Sequence, residues 1–297
     1  MDVLLTLLLG VLEQGMIYAI MALGIYITYT ILDFPDLTVD GSFPLGAAVT
    51  ATLITRGVNP YLTLIVSFLA GVLAGIVTGV IHVKCKIRDL LSGIIVMTGL
   101  YTINLRIAGS ANVPIFGKET IFDNKMLNGI VPESFARYKT LIIIVIVAFI
   151  SKFLLDAYLN TKSGYLLRAA GDNSVLVTSL AKDGGAVKIC GLAIANGLVA
   201  LSGCVLCQQQ RYFDVSTGTG TMVLGLASVI IGVNLFRRVT VIKPTMAVIL
   251  GAIAYKLCVA LAIRWNLSAN DMKLVTAVLF LLTLLISTER KKVRKDA

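Results

Sequence analysis

Tyr61-Leu62-Thr63-Leu64-Ile65-Val66-Ser67-Phe68-Leu69-Ala70-Gly71-Val72-Leu73-Ala74-Gly75-Ile76-Val77-Thr78-Gly79-Val80-Ile81-His82 carries no charged side chain from end to end. As an α-helix rising about 1.5 Å per residue it reaches about 33 Å, enough to cross the roughly 30 Å hydrocarbon core of a bilayer. Working outward, comparable apolar runs lie near 4–31, 43–56, 61–82, 90–108, 139–158, 189–209, 221–236, 242–263 and 272–288, the second and seventh being short. The whole chain is 57% apolar and 14% charged, against roughly 45–50% and 25% for a soluble domain. So few charges cannot coat a body of this size in water, and lipid must face most of its surface. The expected fold is an all-α polytopic membrane protein, one transmembrane domain over 1–297, with about nine segments (eight to ten). Asp2 stands where a secretory signal would be basic and the first apolar run is too long for one, so that run is read as a retained helix.

Orientation follows from the basic residues. Sixteen of the 26 lysines and arginines fall in the loops around 84–88, 152–188 and 237–243 and in the tail 290–295, and eight in the opposite loops. The richer set is expected in the cytoplasm with the C-terminus, which leaves the N-terminus outside. This interleaving of basic residues with spans also accounts for the net charge of +10 without nucleic acid. His82 is the only histidine, which excludes a histidine triad or histidine metal site. Cys204 and Cys207 lack the second pair that a zinc site needs, and the cysteines are expected to pack helices.

Two polar stretches exceed ordinary connections: an external loop at 109–138, and a cytoplasmic one at 160–188. In the latter, Ser163-Gly164 reads as a turn before Leu166, Leu167, Ala169 and Ala170. Asp172 to Ser174 offers an N-cap for a second short helix bearing Val175, Leu176, Val177 and Leu180. Such an apolar hairpin with one central cation, Arg168, suits docking on another protein; lying on lipid headgroups would suit it as well. Two further stretches, Asp36-Leu37-Thr38-Val39-Asp40-Gly41-Ser42 and Asp214-Val215-Ser216-Thr217-Gly218-Thr219-Gly220, each precede a short Gly-containing apolar segment. They read as broken helices of an inverted repeat, the first inside and the second outside, bordering a translocation path. Glu13, with Arg106 as its candidate partner, and Asn104, Asn196 and Asn234 sit within apolar runs, where polar groups either meet a solute or fasten helices together. Ser67, Gly71, Gly75 and Gly79 form a small-residue ridge for close helix approach.

The run Thr161-x-x-Gly164-x-x-x-Arg168-Ala169-x-Gly171-Asp172-Asn173 resembles the coupling segment of the permease family of ABC importers for branched-chain amino acids, ribose and related solutes. Gln14-Gly15-Met16-Ile17-Tyr18-Ala19-Ile20-Met21-Ala22-Leu23-Gly24 is similar to that family's first helix. Leu32 to Ser42 looks closest to its branch for tryptophan or tyrosine uptake. The resemblance implies a permease dimer, expected to be a homodimer, in the bacterial cytoplasmic membrane. It also implies a pair of cytoplasmic ATP-binding subunits and an external solute-binding lipoprotein. Gly164, Leu167, Arg168, Ala169, Gly171, Asp172, Asn173 and Val175 would then meet the ATPase. Glu13, Tyr18, Asp36, Thr38, Asp40, Ser42, Asn104, Asn196, Asp214, Ser216 and Thr217 would border the path.

No Gly-x-x-x-x-Gly-Lys-[Ser/Thr] loop occurs in the chain, so ATP and Mg2+ are expected in the partner, and the chain itself is expected to catalyse nothing. The preferred reading is inward movement of an aromatic or branched-chain amino acid by alternating access. An ABC permease for a nucleoside or sugar is one rival. An ion-coupled secondary transporter is another, but it needs ion-ligating groups at the midplane, for which Glu13 alone is thin support. An intramembrane enzyme would display a catalytic dyad or paired carboxylates in the spans, and none stands out; a structural scaffold would need no polar breaks.

Overall fold

The computed structural model describes residues 2–124, 138–172, 184–236 and 242–264, together with 274, 276–278, 280 and 281. Helix α1 (Asp2–Ile25) runs into a π-helical turn, Tyr26–Ile31. Three helices follow: α2 (Val39–Thr55), α3 (Pro60–Val83) and α4 (Asp89–Ala108). After strand β1 (Asn112–Pro114) come α5 (Lys139–Leu159), α6 (Lys162–Asp172) and α7 (Gly184–Gln210). Strand β2 (Tyr212–Asp214) and a 3-10 turn, Val215–Gly218, lead to α8 (Thr221–Phe236) and α9 (Pro244–Arg264).

Local signals set several of these ends. Asn59 accepts a hydrogen bond from the Tyr61 N–H (2.9 Å) with Pro60 in the first helical position, which starts α3. Gly109, at φ 78°, ends α4 in the left-handed conformation. Among the described residues seven helices are long and apolar enough to cross a membrane. Helix α2 has 17 residues and is buried along most of its length. It begins at Val39, ahead of the expected 43, because the polar side chains of its first turn find partners inside the protein. The segment expected at 272–288 lies largely outside the described residues.

Helix α3 shows how the bundle is built. Ile65, Leu69, Leu73 and Val77 recur every four residues and are 50–64% exposed, as a lipid-facing stripe should be. On the opposite side, Ser67, Gly71, Gly75 and Gly79 are buried. A methyl group added at Gly71 would strike the Asn196 carbonyl, and one at Gly75 the Leu192 carbonyl. The helix received by the small-residue ridge is therefore α7 of the same chain. Helix α2 meets α7 in the same way, through Gly46 against the Ala200 carbonyl.

The stretch after α4 crosses to the end of α7. Strands β1 and β2 pair antiparallel, with Asn112 opposite Asp214, Val113 opposite Phe213 and Pro114 opposite Tyr212. Arg211 donates to Asp123 (2.7 Å), and the Ile121 N–H donates to Gln208 Oε1 (2.9 Å). The described part of the 109–138 stretch is thus an ordered element; 125–137 lie outside the described residues.

Gly75→Ala should lower the thermal midpoint of the detergent-solubilised protein by several degrees, since overpacking typically costs about 1–3 kcal/mol. Gly99→Ala is the control: its added methyl group meets nothing within 4 Å, and the midpoint should not fall. Equal midpoints for the two variants would refute the α3–α7 contact.

Candidate functional site

The π-helical end of α1 and the connection to α2 form a buried polar knot. The Thr38 N–H donates to Asp36 Oδ1 (2.9 Å) and Asn196 Nδ2 donates to Asp36 Oδ2 (2.7 Å). The Ser42 hydroxyl donates to Asn196 Oδ1 (2.7 Å), and the Thr38 and Thr78 hydroxyls share a hydrogen bond of 2.8 Å. None of Asp36, Thr38, Ser42, Thr78 and Asn196 is more than 1% exposed. Both carboxylate oxygens of Asp36 are satisfied, and the knot ties α2 and α3 to α7. Four residues expected along the path, Asp36, Thr38, Ser42 and Asn196, are therefore fasteners within the chain, since their hydrogen-bonding atoms face one another.

Asp40 joins the two stretches read as lying on opposite faces. Its Oδ1 accepts from the Met222 N–H (2.7 Å) and the Thr221 hydroxyl (2.9 Å), and its Oδ2 from the Gly220 N–H (3.0 Å). A carboxylate in the first turn of α2 therefore caps α8, where orphan N–H groups and the helix dipole favour negative charge. Gly218 packs against the Asp40 carbonyl, which the ring of Pro44, having no N–H, leaves without a helical partner. The stretches meet because the chain turns into the bundle at both places instead of stopping at its ends.

The remaining expected path residues separate into two groups. Asn104 Nδ2 donates to the Gly41 carbonyl (3.0 Å), fastening α4 to α2, while its buried Oδ1 receives no hydrogen bond. Asp214 accepts from the N–H and hydroxyl of Ser216 (both 2.7 Å), and its carbonyl accepts from the Thr217 hydroxyl (2.6 Å), which is a local turn. Glu13 accepts from Gln209 (3.3 Å), the partner it has in place of the expected Arg106. Tyr18 and Thr217 do reach open space. With Thr219, Gly220, Thr221, Tyr255, Lys256 and Thr276 they line a cavity of about 400 Å³ between α1, α8 and α9.

Lys256 was missed as a site residue, although a cation in the interior of the apolar run 242–263 is itself a signal. Its Nζ lies 3.8 Å from the centroid of the Tyr18 ring, which in turn stacks on Phe43 (5.9 Å, 9°). Gln14, on the turn of α1 above Tyr18, accepts from the same Nζ at 3.4 Å.

Of the expected hairpin at 160–188, the described residues hold the first arm, α6, while 173–183 lie outside them. Ser163 and Gly164 lie in the first turn of α6, and Thr161 Oγ1 accepts from the Gly164 N–H (3.3 Å) as its cap. Leu167, expected to pack on the ATPase, is fully buried in its own chain, where it lies against Gly191 of α7. Gly171 presses α6 onto the Ile31 carbonyl at the π-helical end of α1. Tyr165 and Arg168 remain exposed, with the Arg168 guanidinium 6.0 Å from the Tyr165 ring, and Ala169 is half-buried beside them. Asn173 and Val175 lie outside the described residues, as does the side chain of Asp172.

The described residues form a bundle of membrane-length helices whose polar breaks meet in its interior. The chain belongs to the family described as "Branched-chain amino acid transport system / permease component", which it matches over residues 7–287. It is 43% identical over 274 residues to the tyrosine transport system permease protein of Clostridioides difficile (strain R20291), covering 92% of this chain and 89% of that one. It is 31% identical over 287 residues to the uncharacterized protein RP368 of Rickettsia prowazekii (strain Madrid E), covering 94% and 96%. Its fold is similar to a chain in the structure of PsaBC from Streptococcus pneumoniae in complex with Fab, with a TM-score of 0.56 and 12% identity over 97% of this chain and 94% of that one.

Asp40→Ala should leave the N–H groups of Gly220 and Met222 unpaired and cost about 2–4 kcal/mol, in line with losing charged hydrogen bonds from buried donors. Asp40→Asn keeps one acceptor oxygen and should cost less. Thermal unfolding followed by size-exclusion chromatography checks this order.

Proposed function

We propose that this chain is the membrane-spanning subunit of an ABC importer that moves an aromatic amino acid, tyrosine or tryptophan, into the cell by alternating access. ATP and Mg2+ act on a partner pair of ATPases, and an external solute-binding protein delivers the solute. The observation that carries the reading is the 43% identity to a tyrosine permease along nearly the whole chain. Helix α6 supports it, since its inner face is fixed to α7 through Leu167 while Tyr165 and Arg168 stay free for a partner. A coupling element must be rigid towards the bundle it moves and open towards the motor that drives it.

In this reading the chain crosses the membrane nine times, with the N-terminus outside and the basic C-terminus in the cytoplasm. The broken entries to α2 and α8 belong to an inverted repeat whose halves meet at Asp40. Two copies of the chain form the path. Solute binding outside precedes ATPase closure, which pulls α6 and, through Gly171 and Ile31, the π-helical end of α1.

The test is reconstitution of the permease with its ATPase and binding protein in liposomes, followed by uptake of radiolabelled tyrosine, tryptophan and leucine. Tyrosine or tryptophan should accumulate with ATP inside and fail to do so without it; uptake that follows an ion gradient in the absence of ATP would sink the reading. Arg168→Glu should reduce solute-stimulated ATP hydrolysis at least about tenfold while the permease still inserts, because it reverses the charge of the exposed contact. Wild-type stimulation in that variant would remove α6 from the interface.

A further inference from the structure

Lys256 stands about 18 Å along α9 from Pro244, at about 1.5 Å per residue, and about 12 Å from the helix's other end. A lysine near the centre of a spanning helix costs about 2.5–3.5 kcal/mol on insertion scales, so its presence calls for a return in function. Its neighbours do not neutralise it. They are the Gln14 side-chain carbonyl and the face of Tyr18, and among the described residues no carboxylate lies within ion-pair distance of it. The positive charge of Lys256 is held in position by an amide and an aromatic ring, and it has no carboxylate counter-charge among the described residues.

The cavity beside it has the size and lining of a small-molecule site, about 400 Å³ within the usual range of roughly 300–1,000 Å³. Its walls supply three kinds of group: the Lys256 ammonium, the rings of Tyr18 and Tyr255, and the hydroxyls of Thr217, Thr219 and Thr221. An ammonium pairs with a carboxylate, the rings give the cavity an aromatic wall, and hydroxyl oxygens accept hydrogen bonds from an amine. A zwitterion with a flat side chain uses all three.

We propose that this cavity is a transit site for the amino acid within the permease, with Lys256 receiving the solute carboxylate and Tyr18 and Tyr255 bordering its aromatic side chain. The proposal rests on the amino acid importer reading and adds that the membrane subunit itself recognises the solute. The contact between Lys256 and Tyr18 holds the cation in place at the cavity, and the incoming carboxylate replaces the ring as the lysine's main partner.

The experiment uses the reconstituted permease, ATPase and binding protein and measures initial uptake of radiolabelled L-tyrosine and L-tryptophan. Lys256→Met removes a cation from the span, so the variant should insert at least as well as the wild type, with yield and dispersity checked by size-exclusion chromatography. Uptake should fall at least about tenfold in Lys256→Met, and Lys256→Arg, which keeps the charge, should retain about half or more. Unchanged uptake in Lys256→Met overturns the site. An equal loss in the Met and Arg variants also overturns it, because charge would then not be what the solute meets. If the wild-type complex accumulates neither amino acid, the importer reading fails first and the site fails with it; a wild type that transports beside an unimpaired Lys256→Met removes only the site.

Discussion

Helix α7 occupies the centre of the bundle because glycines on three neighbours leave room for its backbone. Gly24 of α1 lies against the Ala195 carbonyl, Gly46 of α2 against Ala200, and Gly71 and Gly75 of α3 against Asn196 and Leu192. In lipid there is no hydrophobic gain from bringing helices together, so close van der Waals packing and hydrogen bonds must supply the association. Small residues permit the first and thereby bring polar side chains within reach for the second. Asn196 can span Asp36 and Ser42 because α2, α3 and α7 already touch.

That packing also explains how irregular backbone is tolerated inside. The connection from Leu32 to Thr38 and the turn from Val215 to Gly220 both leave main-chain groups without helical partners, which is affordable at depth only where protein covers them. Asp36 and Asp40 answer this need differently. Asp36 is enclosed in a knot whose donors satisfy both its oxygens, and it fixes the first turn of α2. Asp40 reaches across to the start of α8 and makes the two breaks one structural unit. A shift of α2 against α8 would have to exchange the hydrogen bonds of Asp40. Beside it lies the cavity with Lys256. Along the chain from it, α6 is held to the π-helical end of α1 by Gly171. The bundle thus has a polar interior, and a short helix, α6, held against the π-helical end of α1.

The sequence was most readable where the bilayer, a simple solvent, does the selecting. The α3 run, free of charge and long enough to span, fixed a membrane fold; the stripe of Ile65, Leu69, Leu73 and Val77 and the ridge of Ser67, Gly71, Gly75 and Gly79 show directly which sides face lipid and protein. The family could be read from Thr161 to Asn173 because its glycines are dictated by close backbone contacts, which tolerate little change. Asn196 stood out as a polar residue in an apolar run, and Asp36 and Asp40 as members of a polar break between runs. Their roles were not readable, because a buried carboxylate serving as a fastener and one serving a solute have the same local sequence.

What the sequence determined by itself was the solvent, the class of protein and the residues costly enough to require a reason. What only the tertiary structure decided was where each meets the rest of the chain: α7 for the glycine ridge, the start of α8 for Asp40, Gln209 for Glu13 and the chain's own core for Leu167; it also brought out Lys256, set against the Tyr18 face. The reason is physical. Insertion cost is a property of one residue in a medium and can be read position by position. A hydrogen bond or a steric fit joins atoms far apart in the chain, as with Asp40 and Met222, and exists only after the helices have packed.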